Sequence, residues 1–507
     1  MKFFRNMFGR KTPETQSVIL LRQVPIRFEE PVRSWLGGLP QMPENIIWPR
    51  TEDGAPLQFV AQVCCADLPG AIWAGLGPRT GWLLLFVDGY SMEDQSHGGN
   101  VQVLHVQNLG PEREPPEDMG TYRHAMNDYI DYHTPIIRPG IPKMWRRWPV
   151  DIVVQDVPPP FQEDGETIWA PKPVDAEALY GGAAVNRSYL RLTVGESTRP
   201  LTWRGVLHLL DGLVNGMDSD LRRARTAPAQ GAAPDLPEGF VANAVAAARL
   251  TREQAAEDIR QTEAQMEEIR AQQPADMARI LAGKQDWISQ QQQSIAFNDK
   301  RLADIEAYTG PGGDALLAAE VARFAEAQRL WLLALPEKIA ALRTEILSRD
   351  LDAALPGDAW ERIRSRLTAE RTVSWYLDIR GKSARKLEDD LLSRYPRAME
   401  FALREDVLDL YTRDAAGRAM IPPELLAELE PLVRDIGCGT APHRMGGPHD
   451  VVQSMDEPGD MKLLFQIFSD YPMGWMWADV GGLFVQIRSD DLRAGRFDQI
   501  KAWMDGG

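Results

Sequence analysis

The chain carries one ordered pattern twice, once near each end. Near the start, Leu36-Gly37-Gly38 with Pro40 is followed by Phe59-Val60-Ala61-Gln62-Val63 and then by Gly81-Trp82-Leu83-Leu84-Leu85-Phe86. Near the finish, Met445-Gly446-Gly447-Pro448 is followed by Leu463-Leu464-Phe465-Gln466-Ile467 and then by Gly482-Leu483-Phe484-Val485-Gln486-Ile487. Each copy is a Gly-Gly turn, an apolar run holding one glutamine, and a second apolar run introduced by glycine. The first glycine precedes the glutamine by 25 residues in one copy and by 20 in the other. Short apolar runs bounded by Gly, Pro and Asp read as buried strands. Chance likeness of two hydrophobic strand pairs is the plainer alternative. A shared order at both ends predicts instead one duplicated β-rich domain, which the intervening chain must leave and re-enter.

That intervening chain has a different character. Residues 17–214 read as strands and loops, with SVILLRQVPIRF, VQVLHV and DIVVQDV as further strands and YLRLTV (189–194) as another. WRGVLHLLDGLVNGM (203–217) reads as a helix, PAQGAAPDLP (228–237) as a linker, and nearly everything to about 435 as helix-forming. Leu281, Ile288, Ile295 and Leu302 recur at intervals of seven, with Ile305 three further on, which is a heptad seam. The segment before it starts at Thr251, and the turn TGPGGD (309–314) ends it. The Ala/Leu-rich run 315–350 follows, with a kink expected at Pro336. The expectation is a helical hairpin within 251–350, shorter helices near 358–380, 383–413 and 422–434, and a last one around 495–504. The seam closes within one chain or between chains, and the pattern is compatible with both. The expected organisation is a basic-aromatic segment 1–16, a first domain part 17–214, a helical insertion 215–435 and a second domain part 436–507.

WLGGLPQMPENIIWP, PLQFVAQVCCADLP and GWLLLFVD together resemble the N-terminal signature of the YwqG-like family of bacterial proteins. HRMGGPHDVVQ, KLLFQIFSD and WADVGGLFVQIRSDDLRAGRF resemble the C-terminal signature of that family. The resemblance covers about residues 30–110 and 440–500, and the helical block between the signatures departs from it as an insertion. It implies an α+β domain with a curved β-sheet core and no fixed reaction. Some relatives are thought to sit in toxin–immunity systems, so the resemblance makes a protein-binding, immunity-like role an indirect expectation.

Composition narrows the function classes. There are 73 acidic against 56 basic residues in 507, a formal charge of −17. Nonspecific nucleic-acid binding needs a basic footprint, so no nucleic-acid partner is expected. No run approaches the eighteen or more apolar residues of a membrane-spanning helix. MKFFRNMFGRKT has no continuous apolar core or small-residue cleavage site, so it reads as a frayed end or a weak membrane-surface contact rather than a signal peptide. Three cysteines make no disulfide framework, which points to a reducing cytoplasm.

No phosphate loop, dinucleotide fingerprint, serine elbow or zinc spacing occurs, and no cofactor, metal or catalytic residue is expected. His443 and His449, with Asp450, read as polar loop residues rather than metal ligands, because a site needs three or four ligands. Cys64 and Cys65 stand among apolar neighbours and read as buried and structural. Asp88, Asp470 and Asp479 stand at strand ends, where Asp bonds local backbone; an acid/base pair is the sharper alternative. Gln62 and Gln466 must find partners for their amides, most simply by tying strands and turns together. A ligand groove between the two copies would draw on Trp48, Gln62, Asp88, His443, Gln466 and Asp479. Between 362 and 397 stand ten Arg/Lys and five acids, a local +5. Arg362, Arg366, Arg380, Lys382, Arg385 and Lys386 make a docking face for an acidic partner or a plainly solvated helix face. Trp475 and Trp477, beside Met473 and Met476, suit a recognition loop or a core. The leading expectation is a nonenzymatic cytoplasmic binding protein, immunity-like or regulatory, that meets a protein partner through the insertion and adjacent sheet. The rival is an enzyme or small-ligand binder using the groove.

Overall fold

In chain order the strands are β1 (Gln16–Arg22), β2 (Trp35–Leu36), β3 (Gln58–Cys64), β4 (Trp82–Val87), β5 (Val101–Val106), β6 (Trp148–Asp156), β7 (Phe161–Glu163), β8 (Glu166–Ile168), β9 (Arg371–Asp378), β10 (Ser383–Asp390), β11 (Arg444–Met445), β12 (Met461–Phe468), β13 (Gly482–Arg488) and β14 (Ile500–Asp505). The helices are α1 (Ala176–Tyr180), α2 (Trp203–Thr226), α3 (Phe240–Gln272), α4 (Met277–Ile305), α5 (Gly313–Leu347), α6 (Gly357–Ala369), α7 (Leu391–Arg394), α8 (Arg397–Arg413), α9 (Ala415–Ala419), α10 (Pro423–Val433) and α11 (Ser489–Ala494). This computed structural model describes residues 15–506 apart from 89–99, 122–136, 159–160, 164–165, 169, 172–173, 182–189, 196–197, 227–232, 435–440, 451–459 and 479. The fold is α+β, as the sequence predicts. Two compact units divide the chain: Met1–Asn215 with Ile346–Leu355 and Met399–Gly507, and Gly216–Glu345 with Pro356–Ala398.

The first unit is built on a ten-stranded sheet in the order β14-β13-β12-β11-β1-β6-β2-β3-β4-β5. Every neighbouring pair in it is antiparallel. The sheet curls like a barrel, bringing its edge strands β5 and β14 near one another. His105 on β5 lies 5.6 Å from the ring of Phe497 just before β14. An open cleft of about 500 Å³ runs between these edges. Strand periodicity of two explains the continuous apolar runs. On β4, Leu83, Leu85 and Val87 enter one core, and Leu84 and Phe86 enter another with Trp35, Trp48 and Phe59. Both faces are covered, so no polar residue alternates with the apolar ones.

The duplication is visible in the register. Trp35 pairs with Gln62 as Arg444 pairs with Gln466. Gly37 and Gly38 both have positive φ, as do Gly446 and Gly447. The first glycine of each pair donates its N–H back to the glutamine strand, at Val60 O and Leu463 O. Both glutamine strands carry a register shift at the same place, between Phe59 and Ala61 and between Leu463 and Phe465. The copies thus lie symmetrically about the central β1–β6 pair.

The second unit contains the heptad seam. Ile288, Asn298 and Ile305 of α4 are buried, with Ala244, Ala248, Ala255 and Met266 of α3. Within the chain α3 and α4 pair as a hairpin, with Ile288 buried and Leu281, Ile295 and Leu302 half-buried. Each fully buried isoleucine there contributes roughly 1.5–3 kcal/mol of apolar transfer. The first helix begins at Phe240, not Thr251, because Asp314 at the start of α5 accepts the N–H groups of Gly239 and Val241. Pro336 does not end its helix, since α5 is one element from Gly313 to Leu347.

Several expected helices are corrected. Residues 371–378 and 383–390 form an antiparallel hairpin, β9–β10, rather than parts of helices near 358–380 and 383–413. Trp375 and Leu377 pack with α3 and α5 residues while Tyr376 faces out, which is strand alternation. The last expected helix is instead α11 followed by β14, which completes the sheet. YLRLTV is not a strand over its described residues 190–194, although Leu190 and Leu192 are buried. The helical run expected over 215–435 divides between the units, with α8 from Met399 onward, α9 and α10 in the first.

Candidate functional site

The paired glutamines act on backbone. Gln62 Oε1 accepts the N–H of Gln41 at 3.0 Å, and Gln466 Oε1 accepts that of Asp450 at 2.8 Å. Each acceptor reaches the residue four positions after the first glycine of its turn, so each amide clasps its Gly-Gly loop to the sheet. The copies then diverge. Gln466 Nε2 donates to Pro442 O and to Asp450, whereas Gln62 Nε2 is buried without a partner.

The residue three before the first glycine is equivalent in both copies. Ser34 Oγ accepts the N–H of Cys64, and His443 Nδ1 accepts the N–H of Phe468. With Nδ1 accepting, His443 holds its proton on Nε2 and donates it to Asp470 Oδ2 at 2.9 Å. Both ring nitrogens are thereby committed, and the ring packs against Trp475 with centroids 5.5 Å apart. Asp470 also meets Arg22 Nε at 2.9 Å. Burial would raise the Asp470 pKa, but Arg22, His443 and the Met473 N–H outweigh it and hold the carboxyl below the usual aspartate range. His443 and His449 stand outside the strands, as expected of loop residues, and both are buried. His449 lies edge-on to Phe484 and Trp503.

A second buried charge cluster has no counterpart in the sequence reading. Arg146 donates to Glu405 at 2.7 Å, to Asp409 at 3.0 Å and to Pro472 O at 2.9 Å. Asp409 Oδ2 meets His208 Nε2 at 2.9 Å. Burial would lower the His208 pKa, but Asp409, Glu405 and Asp406 raise it on balance. Asp406 accepts from the N–H groups of Leu201 and Thr202 and from the Thr202 hydroxyl, capping the start of α2. Burial dominates there and pushes Asp406 up to about 6. Beside this cluster lies a cleft of about 320 Å³ walled by Leu39, Pro115, Pro142, Trp145, Arg146 and Asp409. Trp145 is buried with its indole N–H unpartnered, and it meets Trp475 and Trp477 edge-on at 5.7 and 6.4 Å.

The expected groove residues therefore fall into two neighbourhoods. His443 and Gln466 gather in the second copy; Trp475 and Trp477, expected in a recognition loop or a core, are buried in the core. Trp48, Gln62 and Asp88 belong to the first. Trp48 donates to Leu57 O and meets Phe86 edge-on, and the Asp88 N–H bonds Asn100 O. Asp479 and Cys438 lie outside the described residues. Cys65 is held unreactive, its thiol pushed up to about 12 mainly by burial. Among the described residues no group of three His, Cys, Asp or Glu could hold a metal ion.

The basic residues also sort by position. Arg362 pairs with Asp358, Arg366 with Glu345, and Lys386 with Glu320. Arg380, Lys382 and Arg385 sit at or near the tip of the β9–β10 hairpin, with no ion pair among the described residues. Arg385 lies over the rings of Phe297 at 4.9 Å and Tyr376 at 5.4 Å. No helix among the described residues is long and apolar enough to cross a membrane.

A comparison with curated proteins finds no match. A family model does match, over residues 34–171 and 331–506, and its description is "Domain of unknown function (DUF1963)". The matched parts hold the two Gly-Gly copies, Arg146 with Glu405, Asp406 and Asp409, and the β9–β10 hairpin, and they leave 172–330, His208 included, between them. Since they span more than half of the chain, this protein belongs to the DUF1963 family.

Proposed function

We propose that the protein is a nonenzymatic, cytoplasmic, bacterial binding protein of YwqG-like kinship, immunity-like or regulatory, which recognises a protein partner through its second unit. What carries the reading is where apolar surface is left open. Leu250, Trp287, Phe297, Leu316, Leu330, Tyr376 and Ile379 are all at least 44% exposed, and all belong to that unit. Six others, Ile47 at 85% among them, are exposed in the first unit, so the grouping matters more than the number: Phe297 and Tyr376 both lie against Arg385 at the β9–β10 hairpin, and grouped exposed apolar side chains mark interaction surface. The polar groups of the Gly-Gly copies point the same way, because Gln466, His443 and Asp470 are committed to internal bonds.

The test is site-specific photocrosslinking in native lysate, with benzoylphenylalanine in place of Trp287 or Leu330 and, as a control, of exposed Val154 in the first unit. A discrete protein adduct from the second-unit positions alone is expected. Equal adducts from Val154, or none from any position, would remove the reading.

The cleft beside Trp145 supports a second reading, a small-ligand site. Its apolar walls and the Asp409 carboxylate at its edge suit a compact molecule offering one hydrogen-bond donor. A shift of Trp145 fluorescence on screening small amides would favour it over the first.

A further inference from the structure

The tip of the β9–β10 hairpin gathers three cations, Arg380, Lys382 and Arg385, against one acid, Asp378. Arg380, Lys382 and Arg385 make no ion pair among the described residues, and all three lie on or beside the turn joining the strands. Beneath them stands Arg301 of α4, with only 8% of its surface exposed. Its guanidinium donates to Asn298 Oδ1 at 2.8 Å and to Lys382 O at 3.4 Å, both uncharged, and its Nε is buried without a partner. Burial first, and then Arg385 of like sign, oppose its charge. The one acid beside the turn, Asp378, accepts the Gly381 N–H and forms no ion pair with the three cations among the described residues. Buried charge is normally paired, because removing it from water is costly. An uncompensated arginine under three unpaired cations is the arrangement expected of an anion site whose anion comes from elsewhere.

The surroundings narrow the anion. Arg385 is sandwiched by Phe297 and Tyr376, and Arg301 lies 5.9 Å from the same Phe297 ring. Phe297, Tyr376 and Ile379 are 44%, 46% and 44% exposed. A free inorganic anion has no use for three apolar side chains. An extended polyanion such as nucleic acid would meet the formal charge of −17 carried by the whole chain. A short acidic stretch of polypeptide with an apolar residue among its carboxylates matches both the cations and the rings.

Resting on the binding reading above, we propose that the hairpin tip docks an acidic, apolar-punctuated peptide segment of a partner protein. Its carboxylates meet Arg380, Lys382 and Arg385, and its apolar side chain lies on Phe297, Tyr376 and Ile379. Arg301 is a positioning residue, since it holds the Lys382 carbonyl and adds charge from below.

Fluorescence anisotropy on the full-length protein tests this, with a labelled twelve-residue peptide of glutamate interrupted by leucine. Its glutamine-for-glutamate counterpart and a twelve-residue oligothymidylate are the competing probes. The glutamate peptide is expected to bind, weakening with salt. Arg385→Glu should weaken it at least tenfold and Ile379→Asp several-fold, both without a change in thermal midpoint. Arg362→Glu, on a residue paired with Asp358, should leave affinity unchanged. Equal binding of the glutamine peptide, tighter binding of the oligonucleotide, or indifference to Arg385→Glu overturns the proposal. The two readings fail separately. A lysate adduct that survives Arg385→Glu keeps the binding role and removes this site. Arg385-dependent peptide binding with no lysate adduct keeps the site and removes the binding role.

Discussion

His443 donates its Nε2–H to Asp470 across 2.9 Å because its other nitrogen already accepts the Phe468 amide. Asp470 thus serves two buried partners, His443 and Arg22, and both sit in the junction between β1 and the second Gly-Gly copy. Asp470→Asn keeps the shape and removes the charge. It removes the carboxylate that meets the buried Arg22 Nε, and the expected loss is about 3–5 kcal/mol. Because the Asp470 pKa is depressed, its contribution is present above the ordinary aspartate range and is lost as pH falls through the lowered value. Urea unfolding of both forms at neutral pH checks the magnitude, and a loss below about 1 kcal/mol would contradict the pairing.

Asp406 has the opposite sign. It faces His208, Glu405 and Asp409, with Arg146 across the cluster, and burial raises its pKa to about 6. Its favourable contribution is complete below the ordinary aspartate range and is lost as pH rises through 6. The gap corresponds to on the order of 3 kcal/mol. Relative to Asp406→Asn, the natural protein should therefore lose stability between pH 4 and pH 7. Urea midpoints at the two pH values measure this, and a difference that does not change with pH would refute it.

The Gly-Gly turns give a paired prediction. A Cβ on Gly37 would lie 2.3 Å from the Arg146 carbonyl oxygen, at a φ of +57°. Gly54 has a φ of +88° with nothing within 4 Å. Gly54→Ala should cost about 1–2 kcal/mol, the left-handed penalty alone. Gly37→Ala adds displacement of backbone and should cost clearly more, with reduced soluble yield. Thermal midpoints of the two variants decide it, and equal costs would mean that the backbone at Arg146 yields freely.

The duplicated sheet was legible because its signals are local. Two glycines, a glutamine strand and a glycine-led strand keep their order, whatever lies between them. The β9–β10 hairpin was not legible for a physical reason. SARKLEDD consists largely of residues that favour helix or tolerate it, and only Ala384 is fully buried, so no alternation shows. The Arg146 cluster was hidden by distance, since Arg146 and Glu405 stand 259 positions apart. One signal was available. Around Glu405, Asp406 and Asp409, the helix has Leu403, Val407, Leu408 and Leu410, which leaves no clean polar stripe. A helix apolar all round must bury its charges and therefore supply them with partners.

The sheet also obeys a parity rule. Ten strands that alternate in direction leave β14 and β5 pointing opposite ways. The two rims could therefore zip to each other directly, antiparallel, with no mismatched pair. A lone strand laid into the cleft between them would have to run parallel to one rim. Only a hairpin, adding strands two at a time, would preserve the alternation around the whole circuit.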